Sequence, residues 1–436
     1  MTVPTGVESS QASGARGSRV PDGRTVIRNP LVRTAWPLVV NTGANGILGV
    51  AYWMVAARLY SQDTVATNTA LLSAMMTLSG IAQLNLGQTL AVLVPQRAGR
   101  ARRVVAQSYG AVTLMGVLVL AVFVLLVLPH LDHLSRTLDT RGSLLLFAGG
   151  VLFLNLFALQ DTALVAQRLG RVVPVENTAF GVAKIVLLVP LLALLPGLGI
   201  YVSWVVPMVV LVPVISLLVF RRRSGVTPER RVAPPSSARS LVGLDYVGYL
   251  FQVSSTLLLP LIALELLGPG PAAVFAIAWQ TSTTLDLLAT NVGTALTVES
   301  SYGHDPAALR RTVLRYGVMM VGAVSAVGIL AAPLILRLYG AEYGAEGVTT
   351  LRLLLLASLA RSLCTFVVAE ARAHHESVFI VWFRVLNAVL VVGLAAVLAP
   401  RMGVEGMASA WLAAQLVGAA VVLHRWRRPR VLLEVP

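Results

Sequence analysis

Pro196-Gly197-Leu198-Gly199, with Arg168 upstream and Arg221-Arg222-Arg223 downstream, decides how this chain is read, because the pattern returns 204 positions later. Arg372, Pro400, Gly403, Arg425 and Arg427 stand opposite Arg168, Pro196, Gly199, Arg221 and Arg223 without a gap. Closer to the N-terminus, Asn85-Leu86-Gly87-Gln88-Thr89-Leu90 returns as Asn291-Val292-Gly293-Thr294-Ala295-Leu296, offset by 206. Internal repeats in an apolar chain are a mark of transporters, whose substrate sites lie between the repeated halves.

The composition supports a membrane setting. Mean hydropathy is +0.79, with 56% hydrophobic and 12% charged residues; ordinary soluble domains carry about 25% charge. A spanning helix needs about 20 apolar residues, and the pattern predicts twelve. In the first half they cover 35–57, 67–94, 108–128, 143–165, 172–195 and 200–220. In the second they cover 241–267, 272–298, 313–336, 351–369, 378–398 and 404–423. The predicted fold is therefore an all-α polytopic membrane protein with two six-helix lobes around a central cavity. Six is even, so both lobes enter the membrane in the same sense and the repeat is parallel. The predicted divisions are a disordered tail (1–34), a first lobe (35–220), a basic linker (221–240), a second lobe (241–424) and a basic tail (425–436). Pro234-Pro235-Ser236-Ser237 marks the join.

The net charge of +15 is an orientation device on this topology. Of the 34 Lys and Arg residues, 25 fall on the side of both termini, six on the other side and three inside helices. The positive-inside rule places that richer side, with both termini, in the cytoplasm. The same charge favours anionic lipid headgroups and gives no reason to expect nucleic acid. The polar residues 1–34 lack the apolar stretch of a signal peptide. The predominance of arginine over lysine fits a GC-rich bacterial genome, hence a bacterial plasma membrane.

Lys184 is the only lysine, and a phosphate-cradling Walker loop needs Gly-Lys, which excludes ATP hydrolysis by that route. The loops are too short for a soluble catalytic domain, so no enzyme activity and no cofactor are expected. His374-His375-Glu376 is the only metal-like cluster and reads as a solvated loop. Cys364 has no cysteine partner.

Polar side chains in hydrocarbon are costly and should face a bundle interior or a wet cavity. Helical spacing aligns Asn41, Asn45 and Tyr52 in the first span and Thr69, Ser73, Thr77, Gly80 and Gln83 in the second. It also aligns Asp245, Tyr249, Gln252 and Thr256 in the seventh, and Gln280, Thr283, Asp286, Thr290 and Thr294 in the eighth. Hydrogen bonding between helices is one reading of each stripe; the recurrence in both halves favours a hydrophilic cavity. Lys184 and Arg384 lie in equivalent helices, with Asn177 and Asn387 nearby, and Arg361 adds a third cation. Asp161, Glu265 and Asp286 are the available counter-charges. Two readings stand for these cations: structural ion pairs such as Lys184 with Asp161, or a receptor for a phosphate- or carboxylate-bearing substrate. Asp286, and secondarily Asp161, are the candidates for ion coupling.

Several stretches resemble a known family. They are Ala57-Arg58-Leu59, Leu86-Gly87-Gln88-Thr89-Leu90 with Val94-Pro95, Leu338-Tyr339-Gly340-Ala341-Glu342-Tyr343, and Pro400-Arg401-Met402-Gly403-Val404-Glu405-Gly406-Met407-Ala408. Together they resemble the polysaccharide- and O-antigen-flippase branch of the multidrug/oligosaccharidyl-lipid/polysaccharide exporter superfamily, over nearly the whole chain beyond the N-terminal tail. Val65-Ala66 departs from an aromatic-glycine pair common there. The resemblance implies alternating access by two lobes around a cavity lined mainly by the first, second, seventh and eighth spans. It implies a polyprenyl-pyrophosphate-linked oligosaccharide as cargo, with its lipid tail left in the bilayer and polysaccharide-assembly proteins as possible partners. Lys184, Arg384 and Arg361 would meet the pyrophosphate; Asn41, Asn45, Tyr249, Gln252 and Gln280 would bond the sugars. A cation-coupled multidrug exporter and a non-transporting envelope scaffold are the alternatives.

Overall fold

In a computed structural model of the chain, the described residues are 30–84, 86–87, 90, 94, 101–167, 169–221, 238–283, 306–373 and 376–427; the side chains of 30–44, 238–245, 306–316, 372–373 and 426–427 are outside the description. Among the described residues every regular element is a helix. The first half contains α1 (Pro30–Leu59), α2 (Gln62–Ala82), α3 (Ala101–Val122), the short α4 (Asp132–Thr137), α5 (Arg141–Ala166), α6 (Val172–Leu194) and α7 (Gly199–Arg221). The second contains α8 (Ala238–Leu257), α9 (Leu259–Leu267), α10 (described over residues 269–283), α11 (Pro306–Tyr339), α12 (Ala341–Glu346), α13 (Val348–Ala373) and α14 (Ser377–Arg427).

Eight of these are long and apolar enough to cross a membrane, and nine if α8 and α9, bent by 44° at their break, form one span. α14 runs for 51 residues but breaks at Gly403, whose φ of 59° and ψ of −135° interrupt the helix. Counting its two arms separately, and adding α1 and α10, completes the twelve spans expected. The lobes are six spans each. α1 packs on α6, α6 on α7, and α5 on α7 and α2; α14 packs on α13 and α8, and α13 on α11.

The two repeated glycines are required for different reasons. Gly403 needs the left-handed backbone, which side chains with a Cβ disfavour. Gly199 needs space: a Cβ there would sit 2.3 Å from the Tyr60 hydroxyl oxygen. That hydroxyl donates to the Leu188 carbonyl at 2.8 Å, so the end of α1 is fastened across the α6–α7 turn. Asn68 fastens the same turn from α2. Its amide donates to the carbonyls of Thr64 and Gly197, both at 2.8 Å, and its oxygen accepts from the Tyr201 N–H at 2.8 Å. The last bond satisfies one of the free N–H groups in the first turn of α7.

The lobes meet along two seams. α2 lies against α8 and α9, close enough that a Cβ on Gly80 would be 3.0 Å from Val253. The Tyr246 hydroxyl donates to the Ile81 carbonyl along this seam. α1 lies against α11, and the Arg58 guanidinium Nε donates to the Leu338 carbonyl at 2.7 Å. On that same face, opposite the chain termini, the carboxylate of Glu265 in α9 accepts from the N–H groups of His133 and Leu134 in α4. His133 Nδ1 lies 3.5 Å from the same carboxylate.

Candidate functional site

A cavity of about 230 Å³ lies between the lobes. From the first lobe it is lined by Asn45, Gly46, Gly49, Val50 and Trp53 of α1, Lys184 of α6 and Trp204 of α7. Gln280 and Thr283 of α10 and Tyr339 of α11 complete it from the second lobe. The helix packing explains the close approach of α1 and α6: at Gly181 a Cβ would be 2.8 Å from Leu48. With only hydrogen there, the two helices meet and bring Lys184 beside α1.

Lys184 is 8% exposed and stands in an aromatic cage. Its Nζ is 4.0 Å from the centroid of the Trp204 indole, 4.8 Å from Tyr52 and 5.2 Å from Phe180. The cage is itself ordered. Tyr52 and Phe180 both meet Trp204 edge to face, and the Tyr52 hydroxyl bonds Ser203 Oγ at 2.8 Å and the Ile200 carbonyl at 3.0 Å. Desolvated ammonium–indole contacts of this kind are worth about 2 kcal/mol. Among the described residues no carboxylate lies within ion-pair distance of Nζ. The Lys184–Asp161 pair, one of the two readings of the sequence, is therefore not formed. Asp161 instead accepts from Asn177 Nδ2 at 3.4 Å. The ring faces hold the ammonium without neutralising it, which leaves its charge for an anion entering the cavity.

The other expected site residues are placed differently. Asn45 and Gln280 line the cavity, and both have further polar interactions of their own. Arg361 lies over the Trp411 ring at 4.9 Å, within the second lobe, and Trp411 meets Trp279 edge to face. Arg384 is 7% exposed and packs between α14 and α8, its Cδ 3.2 Å from the position a Cβ would take on Gly248. Neither arginine lines the cavity with Lys184. Tyr249 and Gln252 are exposed on α8. The side chains of Asn41 and Asp245 lie outside the described residues, as do Asp286, Thr290, Thr294, His374 and His375.

The polar stripe on α2 does not reach this cavity. Thr69 and Thr77 return their hydroxyls to the Val65 and Ser73 carbonyls of their own helix. The seam between α2 and α8 instead borders a second cavity of about 690 Å³, walled by apolar side chains of α2, α3, α8, α9 and α14 with Glu265 at its edge. The 230 Å³ cavity is thus lined by the first, fifth, sixth, eighth and ninth spans, while the second and seventh spans border the 690 Å³ cavity.

Trp53, Trp204 and Tyr339 were not singled out from sequence. An aromatic residue in an apolar span looks the same whether it faces lipid, core or cavity; only the neighbouring Lys184 was a usable signal.

No protein-family model and no curated relative matches the sequence. Solved structures do match in three dimensions. An inward-facing multidrug-resistance transporter of the MATE family, in the MOP superfamily, superposes with a TM-score of 0.67 at 18% identity over 91% of this chain and 97% of its own. The lipid II flippase MurJ, in an inward closed conformation, gives 0.70 at 11% identity over 89% and 87%. The chain has the fold of these transporters. An outward-facing MATE transporter gives 0.60 at 16% identity over 94% and 98%.

Proposed function

We propose that this chain flips a polyprenyl-pyrophosphate-linked oligosaccharide, a cell-surface polysaccharide precursor, across the bacterial plasma membrane by alternating access and without ATP hydrolysis. The observation that carries the reading is Lys184: a buried ammonium with no described carboxylate partner, in a cavity shared by both lobes. A lone cation of this kind attracts phosphate oxygens. Asn45, Gln280, Thr283 and Tyr339 supply donors and acceptors for sugar hydroxyls, and Trp53 and Trp204 supply flat apolar faces. At about 230 Å³ the cavity is smaller than the roughly 300–1,000 Å³ of pockets that enclose drug-sized ligands. In this conformation it takes part of a headgroup, and a glycan enters when the lobes separate. The apolar 690 Å³ cavity between α2, α3 and the second lobe has the chemistry to seat an isoprenoid chain.

In this reading both termini, with the 1–34 and 425–436 tails and the 221–240 linker, face the cytoplasm. The Glu265–α4 contact then closes the outer face. Arg361 and Arg384 shape the second lobe and meet the pyrophosphate only if lobe movement brings them to the lumen. Membrane lipids and polysaccharide-assembly proteins are the partners.

The test is a gene deletion followed by lipid extraction and leaflet-specific labelling. Accumulation of a lipid-linked glycan in the cytoplasmic leaflet, reversed by the wild-type gene and not by Lys184→Ala, supports the proposal. The multidrug fold neighbours and the aromatic cavity wall favour a second reading, export of small aromatic compounds. An unchanged glycan profile with heightened dye sensitivity would select it. A scaffold would tolerate Lys184→Ala in both assays.

A further inference from the structure

Ala57-Arg58-Leu59 ends α1 and Leu338-Tyr339 ends α11, and across 280 positions of sequence the two meet between the lobes. The last carbonyls of a helix have no N–H partner in their own helix. At the end of α11 the Gly340 N–H donates to the Leu336 carbonyl at 3.3 Å, and Arg58 Nε, from the other lobe, donates to that of Leu338 at 2.7 Å. A cation beside a helix C-terminus is also favoured by the helix dipole. Arg58 is exposed, so water can replace its bond when the lobes part, which suits a contact that is made and broken in turn. Its own helix end is anchored: Tyr60, two residues on, donates to the Leu188 carbonyl of the first lobe.

The residue after Leu338 belongs to the central cavity. Tyr339 is 1% exposed and lines that cavity together with Trp53 of α1. A helical Cα–Cβ bond tilts toward the helix N-terminus, so Tyr339 at the end of α11 sends its ring inward, where the hydroxyl bonds Thr281 Oγ1 of α10 at 3.2 Å. Thr281 lies between the cavity residues Gln280 and Thr283. The tip of the ring is therefore fixed to its own lobe, while the backbone one residue before it is fixed to the other. The start of α10 also borders the first lobe: the position a Cβ would take on Gly270 is 3.8 Å from Gln62 Oε1 of α2.

We infer that Arg58 is a positioning residue for the central cavity: by capping α11 from the first lobe, it holds Tyr339 across the end of the cavity that faces away from the termini. Loss of the cap frees the end of α11 to move with the second lobe and takes Tyr339 off the cavity. The part this closure plays in moving cargo rests on the transporter reading. The closure itself does not.

The test is sided access to the cavity in the full-length protein, with Gly49→Cys as the reporter. Gly49 lines the cavity and has open space for a side chain, and the one native cysteine, Cys364, is buried. A membrane-impermeant maleimide is added outside sealed vesicles that enclose the termini, with no cargo present. Labelling should be slow in the reporter protein and rise about fivefold in Arg58→Ala, the population shift that loss of one such bond allows. Arg58→Lys, which keeps the charge and a donor, should return most of the protection. Arg352 is the control, because its Nε donates to the Ile329 carbonyl of the same helix α11 from within the second lobe; Arg352→Ala should leave labelling unchanged. Equal labelling of Arg58→Ala and the reporter protein overturns the inference. So does an equal rise in Arg352→Ala, since the effect would then be general loosening. The assay needs no cargo, so a failed glycolipid assay leaves its result standing.

Discussion

Glu265 in the second lobe accepts a hydrogen bond from the backbone N–H of Leu134 in the first, at 3.0 Å. The other carboxylate oxygen accepts from the His133 N–H at 3.1 Å. A carboxylate from one lobe thus caps a short helix of the other, on the face where Arg58 also crosses to Leu338. Backbone donors at the start of a helix favour a negative charge, and both contacts must break for this face to open.

Glu265→Ala should therefore shift the protein toward an open outer face. Hydrogen bonds to a charged group are worth about 1.5–3 kcal/mol each, so loss of the pair changes the open-to-closed ratio by roughly tenfold or more. Spin labels at Asp139→Cys and Glu346→Cys, both exposed on this face, provide the measurement, since the one native cysteine, Cys364, is buried. A distance distribution identical to that of the unmodified Glu265 protein would reject the latch.

Lys184→Ala should reduce transport at least about tenfold at matched membrane levels, a loss of roughly 1.4 kcal/mol or more of cargo interaction. Lys184→Arg keeps the charge and should retain part of the activity, although its larger planar head fits the cage of Tyr52, Phe180 and Trp204 poorly. Trp204→Ala should resemble Lys184→Ala more closely than Phe180→Ala does, since Trp204 is the nearest ring. Initial rates of glycolipid translocation in proteoliposomes provide the comparison; equal rates for Lys184→Ala and wild type would make the cation structural.

The repeated glycines should separate by rescue. Gly199→Ala drives a Cβ against the Tyr60 hydroxyl, so adding Tyr60→Phe should recover part of the lost thermal stability. Contacting residues are expected to be non-additive in this way. Gly403→Ala has open space but a strained backbone, costing about 1–2 kcal/mol, and no second-site change in packing should restore it. Detergent-phase melting curves of the single and double variants decide the matter.

Asn68→Ala should lower the melting temperature more than Thr69→Ala. Asn68 joins α2 to the Gly197 carbonyl and to the Tyr201 N–H, leaving buried partners unsatisfied when it is removed, at about 1–3 kcal/mol for each lost group. Thr69 bonds only the Val65 carbonyl one turn back in its own helix. A smaller effect at Asn68 than at Thr69 would contradict the assignment of Asn68 as a tertiary fastener.

Much of the architecture was legible before any coordinates, because a span declares itself by length and apolarity and a repeat by its spacing. The break at Gly403 was marked by Pro400 and by its repeat partner Gly199, and α6 ends and α7 begins where Pro196-Gly197-Leu198-Gly199 intervenes. The polar stripes were less informative. Spacing puts Thr69, Thr77, Tyr249 and Gln252 on helix faces, but a hydroxyl can return to its own backbone, and an exposed glutamine on α8 looks the same in sequence as one in a lumen.

By itself, the sequence determined twelve apolar spans in two parallel lobes, the uneven spread of basic residues between their two ends, and the rarity of Lys184, because these depend on local composition and order along the chain. Only the tertiary structure decided that Lys184 meets three aromatic rings rather than Asp161, that Arg361 and Arg384 stay within the second lobe, and that Glu265 reaches across to α4. Those outcomes depend on which helices touch, and contact between helices is set by close approaches such as Gly181 against Leu48 and Gly80 against Val253, which no single-helix periodicity encodes.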